Sequence, residues 1–450
     1  MNNRTSEVPT IECRVVVIDP GSKRVVVKPE IRPLSLLRES IPAYGRMAAD
    51  LTGALFRLYG FTTIQLAVLP RKGCTSYCAV HELICVRREL STSLSLADLD
   101  EVDIGELNPE ERDFVGHIIS GRLTSHGRFA RLGWVRELLV EAGYGRDSSD
   151  WPRIQHVNQG VDFCLLSLTT SDAGIKWFKA VGQPNEHEYA LTLELSHRFP
   201  QFLPKVSLKM PEWNGWISED ASGLPLTQSS SQTDWKNALS ALACMQKSMV
   251  GQSDALYTLG ATDWSCERID SLLAGFFEAS EQAMLAQTST NVAVLRVEEL
   301  QILRSNLEMA LRRLNDGGLP MTLIHGDVGH GNVLLSTTGP IFLDWAETYI
   351  GHPFLCAEYL LRDFERRFPD CLDEMNDLRY FYAERWKGCV RSAAISIAST
   401  LAPAIAAIAY AVIAWDASTR QPDATTVWPL LRTLLRRSKR ELDLVPELAS

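Results

Sequence analysis

Spaced pairs of cysteine are missing from this sequence. Its ten cysteines are scattered singly, so neither a disulfide framework nor a familiar zinc spacing can be read from them. The nearest grouping, Cys74, Cys78, His81 and Cys85, falls in the strand-like TSYCAVHELICV, where cysteine acts as a small hydrophobe. An apolar leader is missing from the opening MNNRTSEVPTIEC, which with unpaired thiols leads to the expectation of a reduced, cytoplasmic protein. Positive charge is in deficit. With 45 Lys and Arg against 55 Asp and Glu, the formal charge of -10 argues against a nucleic-acid partner held by phosphate neutralisation and tolerates a cationic small molecule better. One long uncharged run exists, Ser392 to Trp415. Its alanines, its Ser and Thr residues and its central Pro403 predict two short helices packed inside a helical domain, and no membrane span.

What is present is an ordinary globular composition, 46% hydrophobic and 22% charged over 450 residues, enough for roughly two to four folding units. CRVVVIDPGSKRVVVK sets two β-branched runs around Pro20, Gly21 and Ser22, a hairpin pattern; YGRMAADLTGALFRLYGF predicts a helix ending at Gly60; a strand pair then brackets PRKG. These make residues 1–125 a small α+β domain. Its order of hairpin, helix and strand is loosely similar to a Nudix-type fold, without the run of helix glutamates by which that family holds metal. Between Asp100 and Asp150 the chain is charged and broken by glycines, with LGWVRELLVEAG the one clear helix, and the domain boundary is expected there. RIQHV, FCLLSLTT and GIKWFKAV follow as an antiparallel meander, then the helix EHEYALTLELSHRF and the strands PKVSLKM and NGWISED. From Gln232 onward the pattern is helical, except where MTLI, NVLL and PIFLDW read as short strands.

That exception carries the chemistry. In LIHGDVGHGNVLL, Leu323 to Leu335, an apolar strand breaks into His325, Gly326, Asp327, a soft loop and Asn332, and then resumes. A loop tied between two buried strands holds side chains rigidly while exposing them at one end. The STTG turn lets the next strand pair back, which brings Asp344 toward Asn332. An amide oxygen and a carboxylate, with a second carboxylate nearby, form a hard-oxygen set suited to Mg2+ carrying a nucleotide's phosphates, and Asp327 is then the group that accepts a proton.

H-G-D, four residues, N, and a hydrophobic strand ending in Asp resembles the catalytic core of the aminoglycoside phosphotransferase and choline kinase family. The resemblance spans about Trp151 to Ala414. It implies a bilobal protein-kinase-like fold, α+β, with a small antiparallel β lobe over 126–225 that binds ATP and a large helical lobe over 226–450 that carries the catalytic loop and the acceptor, preceded by the domain 1–125. It further implies a strand lysine paired with a helix glutamate. Lys179 shares a strand face with Trp177 and Ile175, and Glu188 aligns with Leu191 and Leu195 at helical spacing, so the expected pair is Lys179 with Glu188. Asn185 to Glu188 also reads as a helix cap that needs no nucleotide.

By the same resemblance ISEDA links the lobes, with backbone near Glu219 and Ala221 meeting adenine; Asp327, Asn332 and Asp344 are catalytic; Asn332 and Asp344 hold Mg2+; and His325 supports the loop through a backbone hydrogen bond. The sequence departs from the family pattern in three places. NQGVD offers only Gly160 where a glycine-rich phosphate loop is usual, His330 is displaced by one position, and His352 stands where an acidic residue is frequent. The expectation is an ATP- and Mg2+-dependent kinase acting on a hydroxyl of a small molecule; a nucleotide-binding pseudokinase or regulatory binding module is the alternative. A protein kinase is disfavoured by the lack of D-F-G and A-P-E. Glu358, Asp363, Glu365, Asp370, Asp373 and Glu374 could wall a cationic acceptor, but Arg362, Arg366 and Arg367 interrupt them, which favours a mixed solvated helix face.

Overall fold

The computed structural model describes residues 9–445 apart from 29–33, 44, 72–75, 87–93, 123, 148–149, 172–173, 330 and 421–423; Cys74 and His330 therefore lie outside the described residues. It is a mixed α+β chain in two compact units, Met1–Tyr189 with Lys205–Asp220, and Ala190–Pro204 with Ala221–Ser450. Position 125 falls inside the first unit.

The first unit opens with β1 (Thr10–Asp19), β2 (Arg24–Val27), β3 (Leu37–Pro42), α1 (Met47–Tyr59), β4 (Phe61–Pro70), β5 (Ser76–Val86) and β6 (Ser95–Ala97). The strands form one sheet in the order β4-β5-β1-β2-β6, with β3 also on β1, and β1 runs parallel to β5. The run CRVVVI explains why β1 is central: both faces are apolar, so both can be covered. Val15 and Val17 pack with Leu51 and Leu55 of α1, while Val16 and Ile18 turn to the opposite core. Gly60 ends α1 in the left-handed conformation (φ 73°), as the glycine signal predicts.

That opposite core is closed by α2 (Pro109–Ser120), α3 (Trp134–Glu141) and a second antiparallel sheet, β7 (Arg153–Gln159), β8 (Cys164–Thr170), β9 (Gly174–Ala180), β10 (Val206–Met210) and β11 (Gly215–Glu219), in the order β10-β11-β9-β8-β7. Leu166, Leu168, Phe178 and Ile217 face this core. Phe178 inward leaves Lys179 on the other face of β9. Helix α2 corrects the expectation of a single helix in this stretch; Asn108 accepts from the Glu111 amide, Glu111 accepts from the Asn108 amide, and Pro109 starts the first turn.

Two histidines sit in this core. His81 is wholly buried beside the Thr63 hydroxyl (3.2 Å), so the Cys78–His81 stretch is core packing with Cys78 also fully buried. His156 accepts from the Gln65 amide through Nδ1 (3.1 Å), which puts its proton on Nε2, 3.6 Å from Cys164 Sγ. Burial depresses both imidazoles to about 3, and for His81 the neighbouring His156 adds to it. Because the unfolded histidines titrate near 6.5, the unfolded chain binds more protons than the folded one between about pH 6.5 and 3, and stability falls as pH drops through that window. The expected loss at pH 5 is about 2 kcal/mol per histidine. Calorimetric unfolding at pH 7 and pH 5 checks it: His156→Gln should narrow the difference between the two midpoints, and an unchanged difference would speak against these histidines as its source.

The second unit contains β12 (Leu224–Pro225) and a helical body of α5 (Gln232–Ser248), α6 (Ser253–Thr258), α7 (Cys266–Leu285), α8 (Val297–Gly317), α9 (Pro353–Arg367), α10 (Leu372–Glu384), α11 (Ser392–Ser418) and α12 (Trp428–Leu442), with α4 (Glu188–Arg198) leading into it. Its other strands are β13 (Thr262–Trp264), β14 (Thr322–His325), β15 (Val333–Ser336), β16 (Gly339–Phe342) and β17 (Thr348–Gly351), in two small sheets ordered β12-β15-β16 and β13-β17-β14. Helix α11 is continuous across Pro403 instead of two short helices. Proline costs one intrahelical bond, but Ala402, Ala404, Ile405 and Ala406 on either side are buried, and α7, α8, α9 and α12 pack around the helix. By length and composition alone α11 could cross a membrane.

Candidate active site

The lysine and glutamate expected as a pair meet in the first unit. Lys179 Nζ donates to Glu188 Oε1 at 2.5 Å, with side chains 12% and 2% exposed. The strand face opposite Phe178 presents Lys179 between the rings of Phe163 and Trp216, at 5.7 and 5.9 Å from their centres. Glu188 lies on the buried stripe with Leu191 and Leu195, while Glu194 pairs with Arg198 on the outer face. The Asn185 carbonyl accepts from the Glu188 amide (3.0 Å), so a backbone turn leads into α4. At the end of β11, Glu219 pairs with Lys205 (2.7 Å) and its amide donates to the Lys205 carbonyl (2.9 Å); Ala221 opens the next segment of the second unit.

In the second unit, β14 and β17 pair antiparallel, and β15 pairs with β16. The HGD loop spans the space between these two hairpin systems. His325, fully buried, donates from Nε2 to the Leu343 carbonyl (2.8 Å) and packs on Trp345 (4.5 Å between ring centres), which ties the strand before the loop to the residue before Asp344. The expected loop-organising bond is therefore present. Gly326 is required by close approach: a Cβ there would lie 2.2 Å from Tyr349 and 2.8 Å from the Glu347 carbonyl, and its amide donates to that carbonyl. Gly331 adopts φ 95°, reserved in practice for glycine.

Asn332 donates through Nδ2 to both the carbonyl (2.9 Å) and Oδ2 (2.8 Å) of Asp327. The two residues thus close the loop on itself. Committing the amide nitrogen leaves Oδ1 as the side-chain acceptor atom of Asn332. The Leu343 amide donates to the Asn332 carbonyl (2.8 Å), one rung beyond the β15–β16 ladder, and the next residue, Asp344, turns out of the strand at φ 61°, exposed. A left-handed aspartate is uncommon, and such conformations gather at functional sites.

Glu347, three residues beyond Asp344, shares this electrostatic neighbourhood. Its carboxylate is solvent-accessible yet crowded by protein, and that desolvation, then the negative charge of Asp327, pushes its protonation upward; Tyr349, donating at 3.3 Å, opposes this and Asp344 adds to it. A carboxylate raised by two neighbouring carboxylates is a place where a cation would be stabilised. Among the described residues no group of three or more His, Cys, Asp and Glu side chains has metal-binding geometry. A divalent ion here would take Asn332 Oδ1 and the Asp344 carboxylate, with its remaining oxygens from phosphate and water, which is the way Mg2+ is commonly held. The donor set fits that ion.

Beside Asp327 lies a cavity of about 280 Å3 wholly within the second unit. Gly326 to Gly329 form one wall. The others come from three helical stripes: Tyr359, Arg362 and Arg366 of α9, Ala407 and Tyr410 of α11, and Leu430, Leu434 and Arg437 of α12, each at helical spacing. Tyr410 feels Asp327 and Glu347: burial first, then those two charges, hold its phenol above the usual range. The acidic residues weighed as an acceptor wall do not line the cavity, although Asp363 and Glu365 pair with arginines that do. Glu358 is buried against Arg379 (2.9 Å), Asp363 packs on Gly329 and pairs with Arg366 (3.0 Å), Glu365 pairs with Arg437 (2.5 Å), and Asp370, Asp373 and Glu374 are exposed. His352 is buried, its imidazole depressed to about 4 by that burial. The cavity residues had a readable signal, the i, i+3, i+7 spacing of Tyr359, Arg362 and Arg366. Strand β17 had one too, in the run TYI.

Residues 255–389 match the model of the APH family, described as "Phosphotransferase enzyme family". No curated protein matches the sequence. Among solved structures, an ethanolamine kinase from Plasmodium vivax is 13% identical, with 74% of this chain and 97% of that one covered at a TM-score of 0.48. A macrolide 2'-phosphotransferase from Brachybacterium faecium is 15% identical over 68% and 97% (TM-score 0.44), and a choline kinase from Cryptosporidium parvum Iowa II is 10% identical over 68% and 96% (TM-score 0.46). Through residues 255–389, which hold the HGD loop, Asn332 and Asp344, the chain carries the pattern of the phosphotransferase enzyme family, as the motif itself implied.

Proposed function

We propose that this protein is a small-molecule kinase of protein-kinase-like fold, transferring the γ-phosphoryl group of ATP to a hydroxyl. The observation that carries the reading is the Asn332 amide clasping Asp327, with Asp344 emerging one rung along the same hairpin. In the proposed reaction the acceptor oxygen forms a bond to the γ-phosphorus, the bond between that phosphorus and the bridging oxygen breaks, ADP leaves, and the acceptor's proton goes to an Asp327 carboxylate oxygen. Asp327 is oriented for this by the Asn332 bond, and His325 fixes the loop from behind. Mg2+ bound by Asn332 and Asp344 would neutralise phosphate charge. Lys179, held in one orientation by Glu188, is assigned to the nucleotide's phosphates, and the backbone at Glu219 and Ala221 to its adenine. Since the Glu219 amide is committed to Lys205, an adenine contact at Glu219 would use its carbonyl. In this reading residues 126–225 and 226–450 are the two lobes and 1–125 an added α+β domain.

The test is ADP release from Mg-ATP by the purified chain, with and without hydroxylated acceptors, beside the Asp327→Asn variant. Slow ATP hydrolysis that depends on Asp327 supports the kinase. Mg-ATP binding with no turnover under any condition supports the pseudokinase instead.

A further inference from the structure

Resting on the kinase reading, we infer that the acceptor is a small oxyanion, a hydroxylated carboxylate or phosphate ester, whose negative group is seated by Arg362 in the cavity beside Asp327. Among the cavity's lining residues three guanidinium groups stand against one carboxylate, Asp327 itself. Two of the three are already oriented: Arg437 donates to Glu365 and Glu441, both at 2.5 Å, and Arg366 pairs with Asp363 at 3.0 Å. Arg362 is different. Its side chain is 11% exposed, its nearest carboxylate is Glu441 at 3.7 Å, shared with Arg437, and its Nε has no hydrogen-bond partner among the described residues. The Tyr359 hydroxyl, one turn back on α9, likewise has no partner among them, and both atoms are shielded from solvent.

Shielded as they are, Nε and the phenol cannot meet a ligand, but the terminal nitrogens of Arg362, the nearer of them 3.7 Å from Glu441 and beyond hydrogen-bond reach of it, are the part of the guanidinium that an acceptor in the cavity can approach. Burial, and then repulsion by the neighbouring Arg437, weaken the hold of Arg362 on its proton, against the opposing pull of Glu441 and Glu358. An arriving cation such as an amino alcohol or an aminoglycoside would meet that repulsion. An arriving carboxylate or phosphate would relieve it and accept from the planar fork. Size agrees, since about 280 Å3 falls under the roughly 300–1,000 Å3 of sites for drug-sized ligands. Asp327 on the opposite wall then faces the hydroxyl end of the molecule.

The experiment is calorimetric titration of the protein saturated with ADP, so that the nucleotide site is filled, using glycerate, glycerol 3-phosphate, ethanolamine and kanamycin as probes. Expected are binding of at least one of the two anions, at least tenfold tighter than either cation, a loss of tenfold or more in Arg362→Met, and partial recovery in Arg362→Lys. Tighter binding of a cationic probe, binding of none of the four, anion binding that ADP abolishes, or an Arg362→Met variant with unaltered anion affinity each overturn the inference. Failure of the wild-type protein to bind ADP would instead sink the kinase reading beneath it. ADP titration of each variant separates a lost anion site from a misfolded chain.

Discussion

Replacing Asp327 with asparagine should slow ADP release in the presence of an acceptor by about 100- to 10,000-fold, the usual worth of a positioned general base, while Mg-ATP affinity changes little. The substitution keeps the size of the side chain and its place in the loop, because an asparagine oxygen can still accept from Asn332 Nδ2, as Asp327 Oδ2 does at 2.8 Å. What is lost is the ability to take a proton. His325 cannot take its place, since it is fully buried and its Nε2 is engaged with the Leu343 carbonyl. The comparison separates chemistry from binding: equal losses in turnover and in Mg-ATP affinity would make Asp327 a phosphate or metal contact, and unchanged turnover would remove it from the reaction altogether.

The second large effect is expected at the Lys179–Glu188 pair. Removing one partner of a pair this buried strands the other charge, so Lys179→Met and Glu188→Ala should each destabilise the protein by about 3–5 kcal/mol, measured by denaturant unfolding. Replacing both, as in Lys179→Met with Glu188→Leu, should recover most of that loss, because two apolar side chains need no counterion. Nucleotide affinity tells a structural pair from a functional one. If Lys179 serves ATP, the double variant folds and still fails to bind Mg-ATP; if it folds and binds normally, the pair is only a strut for the sheet and α4.

Much of this arrangement was legible in the residues. The continuous β-branched run of β1, the glycine stop at Gly60 and the order of strand, loop, strand around HGD are local signals, and local signals survive in sequence. A lysine–glutamate pair was implied by the family resemblance, and two periodicities, period two in β9 and the helical repeat in α4, selected Lys179 and Glu188 for it. Other features depend on contacts between distant segments. Continuity of α11 across Pro403 comes from four helices packing around it, and no residue near position 403 announces them. His352 is buried by its surroundings and not by its neighbours in the chain. Glu347 reads equally as a solvated residue or as one near the metal region until folding sets it in the field of Asp327 and Asp344, and the arginine-rich cavity appears only when α9, α11 and α12 converge on the loop. The capping box at Asn108 to Glu111 is the exception, a local signal that announces α2 plainly.

The most direct test is of the hard-oxygen set itself: electron paramagnetic resonance titration with Mn2+, a reporter for Mg2+, in the presence of ADP. The wild-type protein should hold Mn2+ with the nucleotide, and Asp344→Asn should weaken that binding at least tenfold while ADP alone still binds. Undiminished Mn2+ binding in the Asp344 variant would mean that Asn332 and Asp344 are not the cation's ligands, and the account of the site would fail with them.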